Sequence, residues 1–153
     1  ITMSIQVQTE DFEPQAVVDA LCAGRADIGA VVTFVGLVRD SAQSEEVSAM
    51  ELEHYPGMTE KALRDIEEQA NQRWQLQATH IIHRVGRLEP AERIVMVAVA
   101  SPHRGEAFQA CEFMIDYLKT RAPFWKKEFT AQGAHWVDAR ESDDRARDRW
   151  GSI

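Results

Sequence analysis

The apolar positions along the chain fall into helical and strand-like periods. From Pro14 to Ala23, Val17, Val18, Leu21 and Cys22 recur at helical spacing and Gly24 follows where a helix stops, which predicts a short first helix. Ile28 to Val38 is nearly continuous in apolar character and rich in Val, Phe and Thr, as expected of a strand covered on both faces, with Gly36 marking a bulge or a close approach. Ser41 to Ser48 is polar and acidic and reads as a mobile loop. Met50, Leu52 and His54 then alternate with Glu51 and Glu53 in a half-buried strand, closed by the turn residues Tyr55-Pro56-Gly57.

Thr59 is placed to cap a second helix, whose apolar face is Ala62, Leu63, Ile66, Ala70 and Trp74 and whose other face reads as solvated charge. Thr79–Val85 and Ile94–Ala100 read as strands joined at a Glu89-Pro90-Ala91 turn. The longest helix follows, with Ser101 as its cap, Pro102 at its first position and a stripe of Ala107, Phe108, Cys111, Met114, Ile115 and Leu118; Pro123 ends it. Phe124–Thr130 and His135–Val137 flank Gln132-Gly133 as a terminal strand pair, and the tail beyond Glu141 reads either as helix or as disordered chain. The order α-β-β-α-β-β-α-β-β, without internal repeats, predicts an α+β fold with a mainly antiparallel sheet.

A length of 153 residues suits a single domain spanning 1–153, with about 141–153 as a flexible tail. The chain opens Ile-Thr-Met, and Met3 is the expected native start. A formal charge of -8 argues against a general nucleic-acid binder. The longest uncharged apolar run, Ile28–Val38, is 11 residues, short of the ~20 that a spanning helix needs, so a cytoplasmic protein is expected. Cys22 and Cys111 stand apart, outside any C-x-x-C spacing, and are expected to be core thiols.

Positive charge concentrates between Pro102 and Lys127, where Arg104, Lys119, Arg121, Lys126 and Lys127 face Glu106, Glu112 and Asp116, leaving the segment net +2. His103 and Arg104 fall in the first turn of the predicted helix, where free N–H groups attract anions; a bound phosphate would explain cations there, and so would simple solvation. Lys119 follows Ile115 by four residues, at the rim of the apolar stripe. It reads either as a partly desolvated proton acceptor or nucleophile, or as a complement to the helix dipole. Strand alternation sends Lys126 and Glu128 to one side and Lys127 to the other, so the chain reversal at Pro123 can bring Lys119 and Lys126 to one pocket. Sixteen residues of helix put His103 about 24 Å from Lys119, so a site using both ends draws on two copies of the chain. His80 and His83, three apart in a strand, do not suit a metal pair.

The stretches GAVVTF from Gly29, LEHYPGMTEKAL from Leu52, IHRVG from Ile82, Ser101–Arg104, DYLKTRAPFWKK from Asp116 and WVDARESD from Trp136 are collinear over most of the chain. Together they resemble the molybdopterin synthase catalytic (large) subunit family, the MoaE family. The resemblance implies an α/β hammerhead-like fold, a homodimer, and a heterotetramer with two copies of a small ubiquitin-like subunit ending in a glycine thiocarboxylate. The reaction it implies is sulfur transfer into cyclic pyranopterin monophosphate (precursor Z), forming the dithiolene of molybdopterin.

The family's catalytic lysines fall on Lys119 and Lys126, and its substrate-binding set on those two with Arg39, His103, Arg104, Lys127, Glu128 and Arg140. No cofactor or metal is implied. Leu37 stands where the family often has a lysine, so only its backbone is expected to matter there. Two other functions fit parts of the pattern: a noncatalytic dimeric module for a ubiquitin-like tail or a phosphorylated ligand, and a persulfide-using sulfurtransferase acting on a different acceptor through the isolated cysteines, with Cys111 as a candidate persulfide carrier.

Overall fold

In the computed structural model, residues 2–42, 45–137 and 141–151 are described, with the side chains of positions 42, 45, 141 and 142 left aside. Two sheets share the strands. The first has the order β1-β5-β7-β2, built from β1 (Thr2–Gln8), β5 (Ala78–Arg84), β7 (Arg93–Ser101) and β2 (Ala30–Leu37). The second joins β3 (Ser41–Ala42), β4 (Glu45–His54), β8 (Phe124–Thr130) and β9 (Gly133–Val137), with β6 (Gly86–Leu88) also paired to β4. Among the described residues only β1 against β5 is parallel, and every other pairing is antiparallel, as the element order predicts.

The first sheet is buried on both sides. On one, α2 (Met58–Arg73) and α3 (Arg104–Arg121) pack Leu63, Ile66, Phe113 and Met114 against Ile81, Val95, Val97 and Val99. On the other, α1 (Pro14–Cys22) lays Val17, Val18 and Leu21 near Ile82, Met96 and Ala98. β5 and β7 therefore carry inward residues on both faces. β2, expected to be the fully covered strand, lies at the sheet edge and is only partly buried, because a strand with one neighbour keeps a solvent-facing flank. Its bulge does fall at Gly36, where a Cβ would sit 2.8 Å from Val95 Cγ1.

Several boundaries differ from the sequence reading, each for a local reason. β1 was not expected; its polar-apolar mixture satisfies the pairing edge of β5 and rests on α2. The segment read as a loop from Ser41 to Ser48 contains β3 and the start of β4, which pair as a hairpin; its positions 43–44 lie outside the described residues. Between β5 and β7 the chain does not simply turn. It crosses to the second sheet as β6, opposite Met50, Glu51 and Leu52, and turns back through Ala91 at φ 73°.

Thr59 is not the helix cap: Gly57 occupies that position, its N–H held by Glu60 at 2.7 Å, while the Thr59 hydroxyl, fully buried, bonds the Tyr55 backbone. Ser101 likewise ends β7 and donates to Gln75 O, so α3 begins after His103 and Pro102 precedes it. Phe108, expected in the buried stripe, is 61% exposed; Phe113 and Tyr117 fill the core instead.

The tail is ordered at 141–151 as α4 (Glu141–Asp148) with Trp150 beyond it. Trp150 meets Trp74 and Phe113 edge-on at 5.7 and 5.6 Å and donates its indole N–H to Asp116, to which Arg149 also bonds. The offset, edge-to-face arrangement and a satisfied N–H are what allow a tryptophan to be packed rather than solvated.

α2 also carries a carboxylate where plain solvated charge was expected. Glu67, 1% exposed, accepts from the Thr79 hydroxyl at 2.7 Å and from the Ser4 N–H at 3.3 Å, tying β1 and β5 to the helix. Burial pushes its carboxyl up to about 7, and the two donors pull back against that. An acid raised on folding favours the native state when protonated, so its contribution is full below about pH 4.5 and is lost as the pH rises to about 7. Urea midpoints at pH 5 and pH 8 are expected to show the wild type losing on the order of 2 kcal/mol relative to Glu67→Gln over that span; parallel pH dependence of the two proteins would contradict it.

Candidate active site

The antiparallel register of β8 decides which of its charges face inward. Lys126 sits opposite Leu52 and Glu128 opposite Met50, and because cross-strand partners share a face, both join the buried side of the second sheet. Lys127 sits opposite Glu51 and Trp136 on the outer face, its ammonium 4.9 Å from the Trp136 ring centre. The expected alternation holds, and it leaves Lys127 outside the inner surface.

α3 ends at Arg121, and the chain reverses through Ala122 and Pro123 into β8. The reversal brings Lys119 and Lys126 to one cavity of about 300 Å³, whose wall also includes Arg39, Glu128, His83 and Phe124. Residues of both sheets and the end of α3 thus line one space. Its floor is apolar, formed by Val38, Met50, Leu52, Ile94 and Leu118. Arg39 enters just after the β2 edge, where Val38 is clamped to the following turn by hydrogen bonds with Glu92 O and from Ala91 N. Asp143 of α4 reaches the same cavity, so the tail contributes to its wall.

Lys119 was expected at the rim of the buried stripe, and the structure puts it there with its side chain open to solvent. Three cations (Arg39, Lys119, Lys126) and two carboxylates (Glu128, Asp143) share the wall, an arrangement suited to an anionic ligand with its counter-charges supplied locally. Glu128 is 8% exposed, the most enclosed of these charges.

His103 and Arg104 lie elsewhere. His103 caps α3 and Arg104 opens it, both exposed, at the end of the helix opposite Lys119. Their junction is held close: Gly29 donates to Ser101 O, and a Cβ on Gly29 would lie 1.9 Å from Pro102 O, which explains a glycine at the head of the GAVVTF stretch. Arg140 lies outside the described residues.

His83 was weighed only as half of a metal pair, and its place is different. His80 faces Gln6 on β1 at 2.8 Å, whereas His83 is buried against the cavity and stacked on Phe124, ring centres 3.8 Å apart at 16°. Burial pushes its imidazole down to about 4, and the Lys119 and His54 charges push the same way, so it is neutral near pH 7. The signal available in the sequence was a histidine directly after the apolar pair Ile81-Ile82, on the same strand face as Ile81.

Cys111 is buried with its thiol toward Val97 O, and burial pushes it up to about 12, the reverse of what a persulfide carrier needs. Cys22 is partly exposed. Iodoacetamide at pH 8 followed by peptide mass spectrometry is expected to label Cys22 and leave Cys111 unlabelled until the protein is unfolded; prompt native labelling of Cys111 would contradict this.

An α+β domain of two sheets, with a lysine-lined cavity where a long helix hands over to a strand, is the class that fold and site define. A family model described as MoaE protein matches residues 7–121. The chain is 62% identical over 150 residues to the molybdopterin synthase catalytic subunit of Ralstonia nicotianae, covering 98% of this chain and 85% of that one. It superposes on the molybdopterin biosynthesis MoaE protein of Burkholderia ambifaria with a TM-score of 0.85 at 56% identity, covering 99% and 100% of the two chains. It also superposes on molybdopterin synthase from Staphylococcus aureus with a TM-score of 0.80 at 33% identity, over 87% and 96%. The chain belongs to the MoaE family.

Proposed function

We propose that this chain, acting as one domain over 1–153, is a molybdopterin synthase catalytic subunit: a sulfurtransferase of molybdenum cofactor biosynthesis. It takes sulfur from the C-terminal thiocarboxylate of a small ubiquitin-like subunit and delivers it to cyclic pyranopterin monophosphate, building the dithiolene of molybdopterin. The observation that carries the reading is the meeting of Lys119 and Lys126 in one cavity of about 300 Å³, in a chain whose relatives bear that name.

An extended glycine terminus is narrow enough to enter such a cavity, and its carboxyl-derived group is an anion that Arg39 and the two lysines attract. Each transfer forms a carbon–sulfur bond at a pterin side-chain carbon as a carbon–oxygen bond there breaks; water then attacks the acyl carbon, its carbon–sulfur bond breaks, and the glycine is left as a carboxylate, so negative charge develops on the acyl oxygen. Lys119 carries the proton from the attacking water to the departing sulfur, and Lys126 stabilises the charge electrostatically. Glu128, held on the same face two residues from Lys126, adds a negative charge that offsets the cations of the wall.

The substrate phosphate needs a second anion site. His103 and Arg104 at the start of α3 have the free backbone N–H groups and cations for it, but they lie a helix length away from Lys119. A second copy of the chain supplies them, and Lys127 and Arg140 complete the proposed substrate-binding set, which makes the enzyme a homodimer inside a heterotetramer with the small subunit. No described helix is long and apolar enough to cross a membrane, and the reaction is assigned to the cytoplasm.

The test is reconstitution with thiocarboxylated small subunit and the cyclic pyranopterin. Wild type is expected to form dithiolene product, Lys119→Ala to lose at least ~100-fold in rate, a scale usual for removing a proton-transfer group, and Lys126→Ala to lose less. Full activity of Lys119→Ala would overturn the assigned role, and an inactive wild type would overturn the function. In a mixing experiment, Lys119→Ala and Arg104→Ala proteins, each inactive alone, are expected to regain activity in mixed dimers. Absence of complementation in dimers shown to have exchanged would contradict the two-copy site.

A further inference from the structure

The wall of the cavity that Lys119 and Lys126 line also contains a histidine that the reaction outlined above does not use. His83 is fixed in three ways. Its Nδ1 lies 2.8 Å from Arg84 O, and since a carbonyl only accepts, Nδ1 must carry the proton. The ring plane is set by stacking on Phe124, the first residue of β8 after the helix exit. The carbonyl it bonds belongs to a residue that is itself anchored, because the Arg84 guanidinium donates to Thr9 O and Arg93 O. Tautomer and orientation are therefore both determined by the fold.

A histidine protonated on Nδ1 and otherwise neutral has one lone pair left, on Nε2 at the end of the ring away from the backbone. Full burial of a neutral imidazole beside cations would be an odd choice for packing alone, since Phe124 could stack on a phenyl ring without any polar atom to satisfy. An uncharged acceptor on the same wall is, by contrast, one that an ammonium can bond without losing its charge.

We propose that His83 is a positioning residue for sulfur transfer: its imidazole, held in one tautomer and one plane, presents Nε2 as an uncharged acceptor to Lys119 and aims the lysine at the acyl carbon. It also braces the two sheets, since the stack joins β5 of the first to β8 of the second. The inference rests on the sulfur-transfer reading of the cavity.

The two functions of the ring separate by substitution. His83→Phe keeps an aromatic stack and removes the acceptor; His83→Gln loses the stack and places an amide oxygen near the Nε2 position. In single-turnover and steady-state sulfur transfer with the thiocarboxylated small subunit, His83→Phe is expected to melt within a few degrees of wild type. It should keep KM for the pterin within about threefold and lose at least ~10-fold in kcat, a typical cost of misplacing a reacting group. His83→Gln is expected to recover most of that kcat in spite of a lower Tm.

Wild-type kcat in His83→Phe would overturn the proposal, leaving the ring as packing. So would a kcat in both variants that falls in step with Tm. Should either variant fail to fold, long-range 1H–15N NMR of the wild type decides: a protonated Nδ1 and an Nε2 shift that responds to Lys119→Met are expected, and the opposite tautomer or no response overturns the proposal. An inactive wild type in the same assay would count against the sulfur-transfer reading itself, not against the placement of His83.

Discussion

Seven residues of α3, from Ala107 to Leu118, are buried against the first sheet and α2, and most of what makes the site follows from that burial. A helix whose apolar side is committed along its length cannot slide or rotate without exposing Phe113, Met114 or Tyr117, each at most 2% accessible. At roughly 1.5–3 kcal/mol for each large apolar side chain kept from water, the position of the helix end is set by its middle. Lys119 inherits that position, and Pro123 fixes where β8 departs from it. The tail reinforces the same helix from outside, with Trp150 against Phe113 and Arg149 on Glu112 and Asp116.

The same helix separates the two groups of cations that the proposed reaction uses. Its start, with His103 and Arg104, is exposed; its end opens on the cavity. Length therefore argues for two copies of the chain more strongly than any surface feature does. Within the cavity, cations are tolerated together because Glu128 and Asp143 share the wall and because the one buried histidine there stays uncharged. A protonated His83 would add a further positive charge from within the buried wall, where its repulsion with the cations of the cavity is less screened than at the surface.

The chain's own pattern already contained much of this. Alternation in Met50, Leu52 and His54, the apolar face of α2, the strand pair around Gly133 and the inward pairing of Lys126 with Glu128 were all legible, since each depends on a period of two or on helical spacing within one segment. The convergence of Lys119 and Lys126 was legible too, because a proline-enforced reversal acts locally. Helix caps were less so: Thr59 and Ser101 are good capping residues by type, yet both hydroxyls bond backbone outside the cap position, Thr59 to Tyr55 and Ser101 to Gln75. A capping propensity cannot register a competing carbonyl supplied by a neighbouring segment.

What the sequence determined alone is the lysine corner: helix, proline, strand, and the face on which each charge emerges. Tertiary structure decided the rest, because it depends on partners distant along the chain. β1 is a strand only because β5 offers it an edge, β2 is half-exposed only because no strand lies beyond it, and Glu67 is buried only because Thr79 and Ser4 arrive to bond it. His83 belongs with these. Its tautomer is set by the carbonyl of the next residue, Arg84, but its neutral charge and its place on the wall it shares with Lys119 come from Phe124 and from the burial around it, which the residues on either side do not reveal.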